Sequence, residues 1–207
     1  MRIGIIGSGN IGGTLTRRFR GLGHEVVVAN SRGPESLRDL AAETGATAGT
    51  VEDAARDAAL VVVAVPLRAV PDLPAGLFDG LVVVDANNYY PQRDGEIAPL
   101  AEGTTSSRWM ADHLAGARVV KAFNNIQAQH LLERGRPQGQ NRIALPVAGD
   151  DERAKALVLA LVDDLGFDPV DAGTLDESWR QQPGTPVYGT DGSAAEVRGH
   201  LAAAERP

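Results

Sequence analysis

An α/β fold built on a doubly wound, mostly parallel sheet is what this chain of 207 residues predicts, on three observations. Short runs rich in Val and Ile alternate with helical patterns, which is the rhythm of repeated strand–helix–strand units. Two of those runs, Leu60-Val61-Val62-Val63-Ala64-Val65 and Leu81-Val82-Val83-Val84-Asp85, are almost continuously apolar, as strands covered on both faces require. The first run, Ile3-Gly4-Ile5-Ile6, leads into Gly7-Ser8-Gly9-Asn10-Ile11-Gly12 and then directly into a helix.

That strand–glycine–helix order gives the glycines their meaning, because G-x-G-x-x-G alone occurs in many loops. In this context Gly7 permits the tight turn, Gly9 lets a pyrophosphate approach the backbone, and Gly12 lets helix and strand pack closely. The phosphates then meet free N–H groups at the helix start, where the helix dipole also favours negative charge. Residues 1–141 therefore read as a Rossmann-type NADP-binding domain, and 142–207 as a short C-terminal α/β extension packed on the same sheet.

The first helix is expected from Asn10 to Leu22, with Ile11, Leu15 and Phe19 on its inner face. The second strand, Val26-Val27-Val28-Ala29, ends at Asn30-Ser31-Arg32, where an NAD site places a carboxylate for the ribose 2′-hydroxyl. Amide, hydroxyl and guanidinium can each donate to a 2′-phosphate, so the expected nucleotide is NADP(H). The alternative is that Asn30 and Ser31 cap the next helix and Arg32 is merely solvated. Helices follow at Glu35 to Thr44 and, capped by Thr50, at Thr50 to Ala58, with a short strand between them.

The strand ending at Ala64-Val65-Pro66 delivers its loop to the carboxyl edge, where ligands lie in an open α/β sheet. The next strand runs into Asp85-Ala86-Asn87-Asn88-Tyr89-Tyr90, whose amides and rings suit a nicotinamide and a second flat ring, with Asp85 fastening the turn. Residues 92–105 carry no interpretable motif. A helix at Ser106 to Leu114 precedes the strand Arg118-Val119-Val120-Lys121-Ala122-Phe123, which ends in Asn124-Asn125. Glu133 to Asn141 reads as an exposed loop, followed by a strand, the helix Asp151 to Leu165 and a last short strand. Trp179 to Tyr188 mixes turn formers with aromatics, which predicts an ordered loop over the site or at a subunit contact.

Composition narrows the function. A net charge of -7 leaves no basic footprint for nucleic acid. The absence of cysteine excludes disulfides, thiolate metal sites and thiol catalysis. No apolar run approaches the ~20 residues of a membrane span, and the first residues enter a core strand, so a cytoplasmic protein without a membrane partner is expected.

The set Gly7 to Gly12, Asn30-Ser31-Arg32, Asp85-Ala86-Asn87-Asn88 and Val120-Lys121-Ala122-Phe123-Asn124 resembles the family of NADPH-dependent oxidoreductases of the deazaflavin coenzyme F420. It is also similar to the reductase domain of the six-transmembrane metalloreductases. The resemblance implies hydride transfer between NADP(H) and a flavin-like ring stacked on the nicotinamide, with coenzyme F420, FMN or FAD as that ring. It further implies that Gly7, Ser8, Gly9, Asn10, Ile11, Gly12, Asn30, Ser31 and Arg32 hold NADP, that Ala64, Val65 and Pro66 line its inner side, and that Asn87 approaches the nicotinamide. Asn88, Phe123, Asn124 and Asn125 would face the second ring. A homodimer is expected on the same ground and from the frequency of twofold oligomers.

Direct hydride transfer requires proximity and orientation rather than a nucleophile, so no catalytic side chain and no metal are expected. Lys121, within a strand, is expected to point outward. Two other readings stand beside this one. A reductase of a small carbonyl or imine would need a proton donor, for which His130 and Tyr89 are the candidates. A non-catalytic NADP(H)-binding sensor would need none.

Overall fold

The computed structural model describes residues 1–206. Eight strands form one sheet in the order β3-β2-β1-β4-β5-β6-β7-β8: β1 (Arg2–Ile6), β2 (Glu25–Ala29), β3 (Thr47–Ala48), β4 (Leu60–Val63), β5 (Val82–Asp85), β6 (Arg118–Lys121), β7 (Ala144–Gly149) and β8 (Asp168–Asp171). All neighbouring pairs are parallel except β6 and β7, which run antiparallel with Lys121 opposite Ala148. The strands expected in the C-terminal extension thus continue the sheet begun by the first strands.

The helices are α1 (Asn10–Gly21), α2 (Arg38–Thr44), α3 (Val51–Ala55), α4 (Pro91–Asp94), α5 (Ala98–Ala101), α6 (Ser106–His113), α7 (Ala128–Glu133), α8 (Glu152–Asp164) and α9 (Ala194–Ala203). Each face of the sheet has its own core. Leu15 and Phe19 of α1 and Val158 and Leu161 of α8 pack with Ile3, Ile5 and Val62 on one face. Ala54 of α3 and Met110 of α6 pack with Ile6, Val61 and Val83 on the other. Covering both faces explains why these strands lack any polar alternation. Burying a side chain such as Phe19, fully enclosed here, contributes roughly 1.5–3 kcal/mol.

Several boundaries have local causes. Thr50 caps α3 in a reciprocal capping box with Asp53, as expected, but Arg56 in extended conformation stops that helix early. The helix expected from Glu35 begins as a 3-10 turn at Pro34–Leu37 whose capping position is Gly33, not Asn30 or Ser31. The polar stretch after Tyr90 contains two single helical turns, α4 and α5. At the end of β4 the Ala64 N–H still donates to Ile6 of β1 (2.8 Å), whereas the Val65 N–H turns to the Asn87 side chain (2.7 Å).

Lys121 corrects an expectation. It points inward, is fully buried, and places its ammonium 3.1 Å from the equally buried Asp85 carboxylate on the adjacent strand. The parallel register sets Asp85 beside Lys121, and with both faces covered the strand has no solvent side to offer. Burial pulls the ammonium below the usual lysine range, and the Asp85 charge and hydrogen bond act against that pull.

Candidate functional site

The carboxyl ends of β1, β2, β4, β5 and β6 converge on one cleft. Gly7 leaves β1 at φ +107°, a conformation that favours glycine, and a Cβ there would lie 2.1 Å from the Ala64 carbonyl oxygen. A Cβ on Gly12 would come within 1.9 Å of the Gly7 carbonyl, so turn and helix touch through backbone alone. Gly9 differs: nothing lies within 4 Å of its hypothetical Cβ. It is the capping residue of α1, and no side chain accepts from the first-turn N–H groups. Open space against uncapped donors is the shape and chemistry a pyrophosphate needs.

At the end of β2, Asn30 organises the loop. Its amide nitrogen donates to the hydroxyls of Ser8 (2.9 Å) and Ser36 (3.0 Å), and its oxygen accepts from the Arg32 backbone N–H (2.9 Å). Asn30 thereby locks the glycine turn to the β2 loop, while the exposed Arg32 guanidinium forms no ion pair among the described residues. The cleft widens into two lobes on either side of Gly9. The outer lobe, about 610 Å³, is walled by Ile6 to Gly9, Asn30 to Arg32 and Ala64 to Pro66. The inner lobe, about 520 Å³, shares Gly9 and Ala64 to Pro66 and adds Ile11, Ala86, Asn87 and Asn88, with Tyr90, Arg93, Asn124 and Tyr188 opposite. A further hollow of about 570 Å³ opens beyond Ser8 and Arg32, between α1, α2 and α7.

The inner wall is fixed from below. Asp85 accepts from the Asn87 backbone N–H (2.9 Å) and the Ser107 hydroxyl (2.8 Å), and Lys121 donates to the Asn87 carbonyl. With its backbone held at both ends, Asn87 turns its own side-chain oxygen to the Val65 N–H. Asn88 and Asn124 exchange hydrogen bonds, and Asn124 also donates to the Gln181 carbonyl (2.7 Å). The C-terminal segment thus returns across the carboxyl edge, where Tyr188 places its hydroxyl in hydrogen-bond contact with that of Tyr90.

Most of the residues singled out from the sequence line this cleft, with Gly12 packed beneath the turn. Phe123 and Asn125 do not. Phe123 adopts φ +62° and is wholly enclosed in the core, because that left-handed turn directs its ring away from the edge. Asn125 is 1 % exposed, and neither polar atom of its side-chain amide has a hydrogen-bond partner among the described residues. The proton-donor candidates also lie elsewhere. His130 pairs with Asp191 through Nδ1 (2.8 Å), and the Tyr89 hydroxyl donates to the Gly95 carbonyl (2.9 Å). Sequence reasoning missed Arg93 and the Lys121–Asp85 pair; a lysine and an aspartate at matching ends of consecutive apolar strands were the available signal for the latter.

A glycine turn at an uncapped helix start, between two lobes at the carboxyl edge of a mostly parallel sheet, defines a dinucleotide-binding domain of the Rossmann class. Residues 2–89 match the family model described as NADP oxidoreductase, coenzyme F420-dependent. The F420-dependent NADP reductase of Methanothermobacter thermautotrophicus is 30% identical over 208 aligned positions, covering 90% of this chain and 87% of that one. The chain belongs to this family. Among solved structures, the hypothetical protein SMa0349 from Sinorhizobium meliloti superposes with a TM-score of 0.81 at 34% identity, over 92% of this chain and 94% of that one. The chain spans less than half the length of other curated relatives that it matches. It aligns with 34% of Metalloreductase STEAP3 of Rattus norvegicus (32% identical over 84% of this chain) and with 45% of the YjhV protein of Escherichia coli (52% identical over 30% of this chain).

Proposed function

We propose that this protein is an NADP(H)-dependent oxidoreductase that moves a hydride between the nicotinamide and a flat acceptor of deazaflavin or flavin type, such as coenzyme F420, FMN or FAD. The observation that carries the reading is the two-lobed cleft: its outer lobe meets β2 at Asn30-Ser31-Arg32 instead of a carboxylate, and its inner lobe is walled by amides held in a fixed network. In this reading the α1 N–H groups and Gly9 receive the pyrophosphate, and Ser31 and Arg32 donate to the 2′-phosphate. Ala64 to Pro66 flank the nucleotide, Asn87 faces the nicotinamide, and Asn88 and Asn124 border the second ring. When bound, NADP(H) supplies or accepts the hydride. The chain's own contribution is to hold the reacting rings in register, which the Lys121–Asp85–Asn87 network does by fixing the inner wall.

A reductase of a small carbonyl or imine is the second reading, favoured by one observation: the Tyr90 and Tyr188 hydroxyls border the inner lobe. Binding of NADPH and of NADH is measured first by nucleotide fluorescence. Oxidation of NADPH is then followed with oxidised F420, FMN, FAD and simple carbonyls. Turnover with a deazaflavin or flavin and preference for NADPH support the proposal. Turnover with carbonyls alone favours the second reading, and tight binding without any turnover favours a sensor. A homodimer belongs to the same proposal, rests on the family and on the frequency of twofold oligomers, and is tested by light scattering; a cytoplasmic location is proposed beside it and is tested by cell fractionation.

A further inference from the structure

The inner lobe has one wall that the amide network does not explain. Tyr90 follows β5, and Tyr188 lies 98 positions later in the C-terminal segment, yet their hydroxyls share a hydrogen bond. Two hydroxyls carry two protons, and one of them satisfies the mutual bond. Neither oxygen has a further partner among the described residues, so one O–H remains to donate into the lobe that both rings line. Arg93, which lines the same lobe, packs over Tyr90, its guanidinium carbon 4.9 Å from the centre of that ring. That guanidinium is itself fixed, by Asp94 through Nε (3.0 Å) and Nη2 (2.8 Å) and by the Asn88 carbonyl (2.6 Å). Asp94 offsets part of its charge, so Arg93 acts as an oriented donor edge rather than as a free cation.

The segment bearing Tyr188 is also held in place. Val187 is fully buried beside it, and the Gly189 N–H donates to the Asn125 carbonyl (2.9 Å). Burial, then the bond to Tyr90, keeps the Tyr188 phenol well above its usual range and therefore protonated.

We infer that the Tyr90–Tyr188 hydroxyl pair, steadied by Arg93, is a donor site for the oxygen or nitrogen of a conjugated planar acceptor that gains negative charge as hydride arrives. The inference rests on the proposed function. The nicotinamide C–H bond would break as its hydride bonds to an electrophilic ring atom of the acceptor, a carbon in a deazaflavin or a nitrogen in a flavin. The displaced π pair moves to the conjugated oxygen or nitrogen, where the spare tyrosine O–H meets it, and a proton from solvent completes the reduction. Donors fixed in advance toward developing charge lower the barrier without reorganising during the step. Tyr90 and Tyr188 are thereby assigned as catalytic residues, and Arg93 as a positioning residue.

The test uses 4-nitrophenol, a planar probe whose coloured anion reports its own ionisation. It is titrated into the full-length protein with and without saturating NADP⁺, alongside Tyr188→Phe, Tyr90→Phe, the double Phe variant and Arg93→Met, with thermal melts confirming that each variant folds. The inference expects the anion to bind in preference to the neutral phenol, lowering the pH at which the bound probe ionises. It also expects the Tyr90→Phe/Tyr188→Phe double variant to bind the anion at least tenfold more weakly, each single Phe variant, which keeps one unshared O–H, to show a smaller loss, and Arg93→Met to weaken binding less than the double variant. Absence of anion binding to the wild-type protein, or equal binding by the double variant, overturns the inference. Failure of NADP⁺ itself to bind, measured separately, overturns the proposed function instead.

Discussion

Replacing Lys121 by Met keeps most of the aliphatic stem but strands the Asp85 carboxylate, which is fully buried and 3.1 Å from the ammonium it loses. Asp85 keeps the Ser107 hydroxyl and the Asn87 N–H, so two of its hydrogen bonds survive while the charge does not. Breaking one side of a buried pair typically costs about 3–5 kcal/mol. Urea unfolding of wild type, Lys121→Met, Asp85→Asn and the double variant, each at pH 5 and pH 7, closes a double-mutant cycle. The double variant should lose much less than the sum of the singles. Additive losses, or a Lys121→Met penalty below about 1 kcal/mol at both pH values, would refute a charged pair that holds Asn87 and the inner wall.

Other expectations test other parts of the cleft. Arg32→Ala should weaken NADPH by about 1.5–3 kcal/mol with little effect on NADH, measured by equilibrium titration; equal affinity of the wild-type protein for both nucleotides removes the 2′-phosphate assignment. Gly9→Ala and Gly12→Ala should separate binding from folding. The first adds a methyl to open space, so it should spare the melting temperature and reduce nucleotide affinity; the second meets the Gly7 carbonyl and should lower the melting temperature itself. Tyr188 gives an alkaline signature. Its folded-state pKa is raised above the unfolded value, so its stabilisation is complete below about pH 10 and is lost progressively at higher pH. Between pH 9.5 and 11 the melting temperature of Tyr188→Phe should accordingly fall less steeply than that of the wild type; parallel profiles would count against the buried hydroxyl contact.

The elements that were legible in the sequence are those whose cause is local. The glycine turn at Gly7 to Gly12, the Thr50 cap and the doubly covered runs at β4 and β5 each carry their physical reason within a few residues. Lys121 was misjudged because a polar residue in a strand usually marks the solvent face, and that rule fails when helices cover both sides. Its partner, Asp85, lies 36 positions earlier and is identified only by the register of β5 against β6. Phe123 failed for a different reason. Its place beside the second ring was implied by the family resemblance, which does not carry backbone conformation, whereas φ +62° rotates the chain and returns the ring to the core.

The two neighbouring tyrosines show where local reading stops for the chemistry. Tyr89 and Tyr90 have the same composition and flank the same turn, and only the fold distinguishes them: Tyr89 bonds to Gly95, whereas Tyr90 enters the inner lobe. What brings Tyr90 into play is Tyr188, supplied by the C-terminal segment that the Asn124–Gln181 bonds draw across the carboxyl edge. The lobe proposed for the nucleotide is thus built from neighbours in sequence around β1, α1 and β2. The lobe proposed for the acceptor is assembled from β5, β6 and the C-terminal segment. A strand, glycine turn and helix contiguous in sequence, as around Gly7 to Gly12, can declare a dinucleotide site from neighbouring residues, because backbone N–H groups and missing side chains are its recognition chemistry. In the proposed reading the acceptor is recognised by side chains that meet over long separations, so changes in the segment from Trp179 to Tyr188 should alter acceptor choice while leaving nucleotide binding in place.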